Sequence, residues 1–443
     1  MSVNTPAQAG EGQINELVFY SNYNDPIDVS SGCLELNYYE SILDDTVRFS
    51  GTFGDTGYRK GDENGSAAFE RDDLNLTSGE KVDIKIVDGY GTELKFANDN
   101  QLRINGDPSA SSEDVNKVIF SVDMYSKECI DNVNANHYVY DKYDGKITDS
   151  VEGILRGCLR TPKNIVIDPG LNTYSLLGHS EKVFYLCTLL AKKCVPDIKD
   201  AFGNLAGYLF YETYDGYQFR SIDMLFMQEP KRKLIYNQLI GEIPPGYDGK
   251  ILSYSFIGSA NLDNAIQTGA LTRARQQRFN PRTKGYDENS FDSESTFMEE
   301  NNGGKERIKI AEGTGIQESV TRQFSGRSSD DGICPPGSTL AEQIKKSRKP
   351  NFDMNEVVRQ SVVRYNQLFT HKMSIAIAGD FSLRAGDLIY CDFPEVSGKT
   401  SRVVSQKVGG IYMIADVCHR LTKNSCYTRL NLVRDSIYRK PFK

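Results

Sequence analysis

The chain has 443 residues, more than a single hydrophobic core usually supports, so two to four domains are expected. With 39% hydrophobic and 25% charged residues it is balanced like a globular protein, which excludes a disordered chain, and no run of about 18 apolar residues suggests a membrane helix. A net charge of −8 argues against a general nucleic-acid binder, because phosphate affinity comes from clustered Lys and Arg.

Taken in chain order, residues 1–15 begin MSVNTPAQAGEGQ, with neither a basic nor an apolar leader region, and are expected to be a flexible start made in cytoplasm. Residues 16–125 alternate with period two: Leu34, Leu36 and Tyr38 against Glu35 and Asn37, then Val82, Ile84 and Ile86 against Asp83 and Lys85. Turn pairs such as Asp88-Gly89 separate these runs, so an antiparallel barrel or sandwich is predicted, with Gly54–Ser66 as a loop inside it. The absence of Trp beside 25 Tyr and 21 Phe agrees with half-buried strand faces.

After Tyr125 the period changes. Ile147, Val151, Ile154, Leu155, Cys158 and Leu159 share a helical stripe, and Asp149 with Glu152 resembles a capping box. A second helix is predicted over Ser180–Cys194, stopped by Pro196, and Asp215-Gly216 reads as the turn of a hairpin. Residues 126–235 are therefore expected to be an α/β domain. Within 236–350, Ile251–Ile257 reads as a strand, whereas Gly303–Pro350 is polar and rich in Gly and Ser and reads as an extended arm. Residues 351–443 begin with a helix near Asp353–Gln367. Strands then follow at Met373–Ala378, Asp387–Phe393, Arg402–Val408, Gly410–His419 and Tyr427–Arg434, making a second β domain.

Charge is unevenly placed. Lys399–Lys443 holds ten Lys or Arg against two acids, Asp416 and Asp435, while Asp287–Glu300 holds six acids and no Lys or Arg. Both segments are candidates for contacts with oppositely charged partners or subunits, Arg429, Arg434 and Arg439 among them. The nine cysteines form no C-x-x-C pair and read as reduced thiols. Ser397-Gly-Lys-Thr400 ends like a phosphate loop, but the required first glycine is Phe393 and no helix follows it. Asp141–Gly145 fails as a calcium loop because Lys142 and Tyr140 occupy ligand positions. The four histidines lack metal-ligand spacing, leaving only a tertiary grouping such as Cys418, His419 and Cys426 as an alternative to packing. No catalytic motif stands out, so no enzyme activity, cofactor or metal is expected.

Three C-terminal blocks carry a resemblance: Gly379–Pro394 with Gly386 and Asp387, Gly410–His419 with Tyr412, and Tyr427–Ser436 with Arg434 and Asp435. Together with Tyr125–Ile147, the Asp215-Gly216 hairpin and Arg275–Pro281, in that order, they resemble the central baseplate hub of T-even-type contractile-tailed phages. The same hub domains occur in the N-terminal half of type VI secretion spike proteins. The resemblance implies a mainly β, α+β chain: two small tube-type antiparallel β-barrels, at 16–125 and within 351–443, an intervening α/β domain and a long irregular insertion. It further implies a homotrimer presenting a six-fold ring in the virion tail baseplate. That ring would meet a tail tube or tube-initiator protein on one face and a spike on the other, with wedge proteins around it and viral DNA passing without specific binding. Gly386, Asp387, Tyr412, His419, Arg429, Arg434, Asp435 and Arg439 are the signature or interface candidates. The strand Gly410–Val417 is expected to meet a barrel core on one face and a neighbouring subunit on the other. The chain runs only to Lys443, so a spike needle is expected on a separate protein. The alternatives are a cell-wall hydrolase or a carbohydrate-binding tail module.

Overall fold

Alternating apolar and polar residues place one face of each N-terminal strand inward, and these strands share one antiparallel sheet. Gly12–Tyr20, Lys81–Asp88, Leu102–Ile104, Lys117–Ser126, Arg48–Asp55 and Cys33–Ser41 are successive neighbours in space. Ser109–Asp114 adds beside Lys117–Ser126, and Glu93–Phe96 beside Lys81–Asp88. The inward set, including Leu36, Tyr38, Phe49, Phe53, Ile84, Phe120 and Met124, forms one buried cluster. The computed structural model describes residues 10–22, 26–55, 76–106, 108–114, 117–198, 205–236, 243–257, 272–280, 285–292, 301–307, 319–327, 354–395, 404–423 and 425–440, with isolated positions between 263 and 341. Most of the expected loop 54–66 lies outside them.

The second β unit is a closed barrel of six strands. Gly410–Thr422, Leu388–Asp392, Arg232–Tyr236, Gly249–Phe256, His371–Ala378 and Ser425–Arg434 follow one another, and the last pairs with the first. Two of the six come from 232–256, upstream of the segment in which the sequence suggested a second barrel. Arg232–Tyr236 runs parallel to both neighbours, so this barrel is mixed rather than wholly antiparallel. The link from Tyr236 to Gly249 has the length of about a dozen residues that a parallel crossover needs. The strand expected at Arg402–Val408 is not formed among the described residues: Val404 makes a single bridge to Pro394, and a turn follows.

Between the β units, Ile165–Ile167, Gly216–Ser221 and Tyr208–Thr213 make a small sheet; its hairpin forms as expected, but the turn is Tyr214-Asp215 rather than Asp215-Gly216, and Gly216 opens the second strand opposite Thr213. Helices Ile147–Ile154 and Val183–Ala191 pack on it around Val151, Leu155, Phe184, Leu190 and Phe210. The expected capping box is not used. Lys146 is the N-cap and makes no side-chain cap bond, which places Asp149 within the first turn. That helix continues as a π-turn over Leu155–Leu159 and ends at Arg160 in a left-handed conformation, φ 56°. The helix Met354–Leu368 precedes the second barrel's strand His371–Ala378.

Part of the acidic segment and of the polar arm forms a further three-stranded sheet, Gly285–Asp292 beside Arg273–Asn280 beside Val320–Arg327. Arg273 pairs with Asp292 and Arg275 with Glu288, each at 3.1 Å. Some of the acidic charge is thus answered within the chain; residues 293–300 lie outside the described set.

Candidate functional site: the junction of the two barrels

The thirteen-residue strand Gly410–Thr422 belongs to both β units. Its first part pairs with Leu388–Asp392 inside the second barrel, and its second part pairs antiparallel with Cys33–Ser41 of the first sheet, Asp416 opposite Ser41 and Thr422 opposite Glu35. A bulge between Ile414 and Asp416 makes the change possible, because one extra residue resets which side chains face in. Before it, Tyr412 and Ile414 enter the barrel core while Met413 and Ala415 pack against Leu209, Tyr211 and Ile222 of the middle domain. The second face of this strand, expected against a neighbouring subunit, is there covered by the chain's own middle domain.

Past the bulge the two sheets are one surface. Register carries a single face across six strands: Asp123 and Tyr125, Arg48 and Ser50, Asn37 and Tyr39, Cys418 and Arg420, Tyr427 and Arg429, then Ser374 and Ala376. The opposite face, carrying Val122, Phe49, Tyr38, Val417, Leu430 and Ile375, is buried. The polar face forms a groove of about 950 Å³ over the junction. Its charges are met locally: Arg420 pairs with Glu35 at 2.7 Å, Asn431 donates to Asp416 at 2.9 Å, and the Arg48 guanidinium lies 4.7 Å over the Tyr39 ring.

Buried ionic groups clamp the units together. Glu40 of the first sheet accepts from the backbone N–H of Tyr214 (2.8 Å) and of Ala385 (2.9 Å), joining the middle hairpin and a turn of the second barrel. Arg384 lies 3.9 Å from Glu40 and 3.1 Å from Asp215. Burial holds the Glu40 carboxyl above its usual range despite that cation. Lys163 sits between Glu128 (2.8 Å) and Glu212 (2.5 Å), and Glu212 also accepts from the N–H of Val47 at 3.0 Å. Burial opposes the Lys163 charge, but its two carboxylates outweigh it and raise the pKa. Arg364 bridges Asp223 (3.0 Å) and Asp435 (2.7 Å) and donates to the carbonyl of Asn301, while Gly303 N donates to Asp435. Helix, middle domain, barrel and arm meet at that one guanidinium. Sequence reasoning did not single out these three clusters, whose members lie far apart along the chain.

The eight expected residues divide into interior and surface. Gly386 takes φ +87°, and a Cβ there would fall 2.2 Å from the Tyr211 hydroxyl, so glycine is required. Asp387 caps the same turn through Arg384 N (2.7 Å) and pairs with Lys231 at 2.9 Å. Tyr412 is buried, with its hydroxyl on the Val408 carbonyl. His419 is buried between Tyr38 and Phe381, with Nδ1 2.8 Å from the Thr428 hydroxyl, and burial followed by nearby Arg384 lowers its pKa to about 3. Cys418 lies on the polar face and His419 on the apolar one, so the grouping with Cys426 does not converge; among the described residues no metal-binding cluster forms. Arg429 lies on the polar face and donates to Ser374 at 3.2 Å; Arg439 pairs with Asp392 at 3.5 Å. Arg434 overturns its expected part in surface charge. It is 0% exposed, stacked 4.4 Å from the Tyr412 ring, and donates to the carbonyls of Ser436, Gly409 and Lys407. Asp435 is buried with Arg364. The Ser397–Thr400 loop lies outside the described residues.

No protein-family model matches the chain, and no curated protein matches it by sequence. Solved structures do match. The 43 kDa tail protein of prophage MuSo2 from Shewanella oneidensis aligns with TM-score 0.51 at 11% identity, over 95% of this chain and 98% of that one. The tail protein from Neisseria meningitidis MC58 aligns with TM-score 0.53 at 10% identity, over 96% of this chain and 97% of that one. An Escherichia coli component of the type VI secretion system, described as similar to the T4 tail proteins gp27 and gp5, aligns with TM-score 0.43 at 10% identity, over 98% of this chain and 80% of that one. In its mainly β architecture and nearly end-to-end alignment, the chain has the fold of the two prophage and bacterial tail proteins.

Proposed function

We propose that this protein is a non-enzymatic structural subunit of a phage tail baseplate, the central hub, in which three copies close a ring of six β units around a channel. The observation that carries this reading is the junction itself. Two β units of one chain are fused edge to edge through Cys33–Ser41 and Gly410–Thr422 into a single sheet, apolar on one side and continuously polar on the other. A ring of three chains built this way offers six similar units to a six-fold tube and three identical faces to a three-fold spike. The likeness in fold to phage tail proteins supports the setting. The polar face supports passage of DNA without grip: Arg420 and Arg48 are engaged by Glu35 and Tyr39, which reduces the clustered cations that phosphate binding needs.

Native mass measurement of the purified chain, and rotational symmetry in images of assembled particles, test the proposal. Three copies around an axial channel are expected. A single copy in the assembled particle refutes the hub, and release of soluble fragments from purified peptidoglycan refutes the non-enzymatic part.

A further inference from the structure

We propose that the seam between helix Met354–Leu368, the middle domain and the C-terminal strand Ile437–Arg439 is a peptide-binding site that reads an extended Asn-Asn-Gly-Gly backbone. Residues 301–306 of the chain's own arm are its resident ligand. The site lies within one chain and does not depend on a ring.

Five backbone groups of four consecutive arm residues are read in turn. Asn301 N donates to Asp223 Oδ1 at 3.3 Å, and Asn301 O accepts from Arg364 at 2.8 Å. Asn302 O accepts from Lys440 Nζ. Gly303 N donates to Asp435 Oδ1 at 3.0 Å, and Gly304 N to Ser436 Oγ at 2.6 Å. From there the arm becomes a strand: Gly304–Glu306 runs antiparallel to Ile437–Arg439, Gly304 opposite Arg439 and Glu306 opposite Ile437. The groups that read it are interior ones, with Arg364 and Asp223 1% exposed, Asp435 4% and Ser436 0%. Such groups are costly to bury unless bonded, so the cleft favours an occupant that brings N–H and C=O to these places. Main-chain hydrogen bonds of this kind are how a sheet edge takes up an extended peptide, and they leave the sequence to be chosen by the space around it.

That space admits only glycine at two positions. At Gly303 a Cβ would fall 2.9 Å from Arg434 Cγ and 3.0 Å from the Phe226 ring. Arg434 does not swing aside, because three carbonyls hold its guanidinium. At Gly304 a Cβ would fall 2.6 Å from the Ile437 carbonyl oxygen and 2.9 Å from Ser436 Oγ, and the first of these is backbone. Lys305, the next residue, is exposed, so selection ends with the glycine pair.

The occupant also acts on its site. Tyr438 lies between the two ladder positions with φ 62°, a left-handed conformation that residues with a Cβ avoid. Such strain persists only where the surroundings over-determine it, and the arm's pairs with Ile437 and Arg439 are part of those surroundings. The carboxylates that take the arm's N–H groups, Asp223 and Asp435, are the same two that hold Arg364 between middle domain and barrel. Arm docking and that clamp are therefore coupled, and the coupling is reciprocal: an empty cleft loosens the clamp, and a loosened clamp weakens the hold on the arm. The arm segment is a strap across the seam.

Two full-length variants release the strap in different ways. Gly303→Ala/Gly304→Ala places methyl groups against Arg434 and the Ile437 carbonyl, and Lys440→Met removes the donor to Asn302 O without adding bulk to the arm. Trypsin cleavage after Lys305 under native conditions, read by mass spectrometry, reports the undocked arm. It is expected to be at least about tenfold faster than in the parent for the alanine variant and about threefold faster for Lys440→Met, because the cut follows the population of the locally open form. A fluorescent synthetic peptide with the sequence of residues 299–308 should bind the alanine variant saturably. It should bind the parent at least about tenfold more weakly, because the parent's site is already filled. The same peptide with alanines in place of its two glycines should bind neither. If the alanine variant loses its far-UV circular dichroism, the same two measurements on Lys440→Met decide. Equal cleavage in the parent and the folded variants overturns the strap. Faster cleavage without peptide uptake, or uptake of the alanine peptide as tight as that of the glycine one, overturns the site as a reader of this backbone.

Discussion

Replacing Arg364 with leucine is the sharpest test of what holds the units together. Its side chain is 1% exposed, as are those of its partners Asp223 and Asp435, and it reaches them at 3.0 and 2.7 Å. Leucine fills much of the same apolar stem but leaves two buried carboxylates without their shared cation. Removing one partner of a buried pair costs about 3–5 kcal/mol, and one guanidinium serving two acids puts this site at the upper end of that range. Remaining donors hold the loss there: Ser436 Oγ and Gly303 N still reach Asp435, and Asn301 N still reaches Asp223. The loss should depend on pH. Burial already holds the Asp223 carboxyl above its usual range even with Arg364 opposing it, and without Arg364 it rises further. A carboxyl whose folded pKa is raised leaves stability intact below its unfolded value, about 3.9, and loses it as pH rises through the folded value. Urea unfolding followed by circular dichroism should therefore show a deficit against the parent that is larger at about pH 8 than at about pH 5. The triple replacement Arg364→Leu/Asp223→Asn/Asp435→Asn should recover part of it, because no charge is left to compensate. A deficit under about 1 kcal/mol at the higher pH, or one equal at both, would refute the reasoning.

Much of this architecture was legible in local pattern. Leu36–Tyr38, Val82–Ile86 and Thr428–Leu432 alternate because one side of each strand is buried and the other is not, and all three lie in strands. The same count puts Leu34 inward, but a bulge between Cys33 and Glu35 leaves it 43% exposed, and Val433 and Arg434 are both buried. The hairpin around Asp215 was legible because its turn chemistry is local, though the two-residue turn falls one position earlier than read, at Tyr214-Asp215. What escaped was long-range. Arg232–Tyr236 owes its place to Leu388–Asp392, a parallel partner more than a hundred residues on, and nothing in five residues announces such a register. Arg434 read as a surface charge because arginine is seldom fully buried. The cage of three carbonyls that holds it comes from Lys407, Gly409 and Ser436, and exists only once the strands meet. Ile251–Ile257 reads as a strand from its residues, whereas its flanking partners, Arg232–Tyr236 on one side and His371–Ala378 on the other, are set by topology.

Two further outcomes separate interior from surface among the residues that the sequence put forward. His419 is buried and its pKa is lowered to about 3, so stability is complete above the unfolded histidine value, about 6.5, and falls as pH drops toward the folded one. The slope contributed is at most about 1.4 kcal/mol per pH unit. His419→Gln should flatten the unfolding midpoint between about pH 6.5 and about pH 5 relative to the parent, and an unchanged slope would show that other groups carry the acid sensitivity. Arg429 and Arg434 both lie on Ser425–Arg434, yet charge reversal should affect stability to very different extents at the two positions. Arg429→Glu changes a side chain on the polar face whose bond to Ser374 is 3.2 Å long, and should alter stability by no more than about 0.5 kcal/mol. Arg434→Glu points a carboxylate at three carbonyl oxygens in a site that is 0% exposed, and should cost about 3 kcal/mol or more. Loss of baseplate assembly by a variant carrying both reversals would then report misfolding, and only Arg429→Glu alone can ask whether the groove's charge matters to partners. A folded Arg434→Glu chain with parental unfolding midpoint would show that the carbonyl cage does not need its cation.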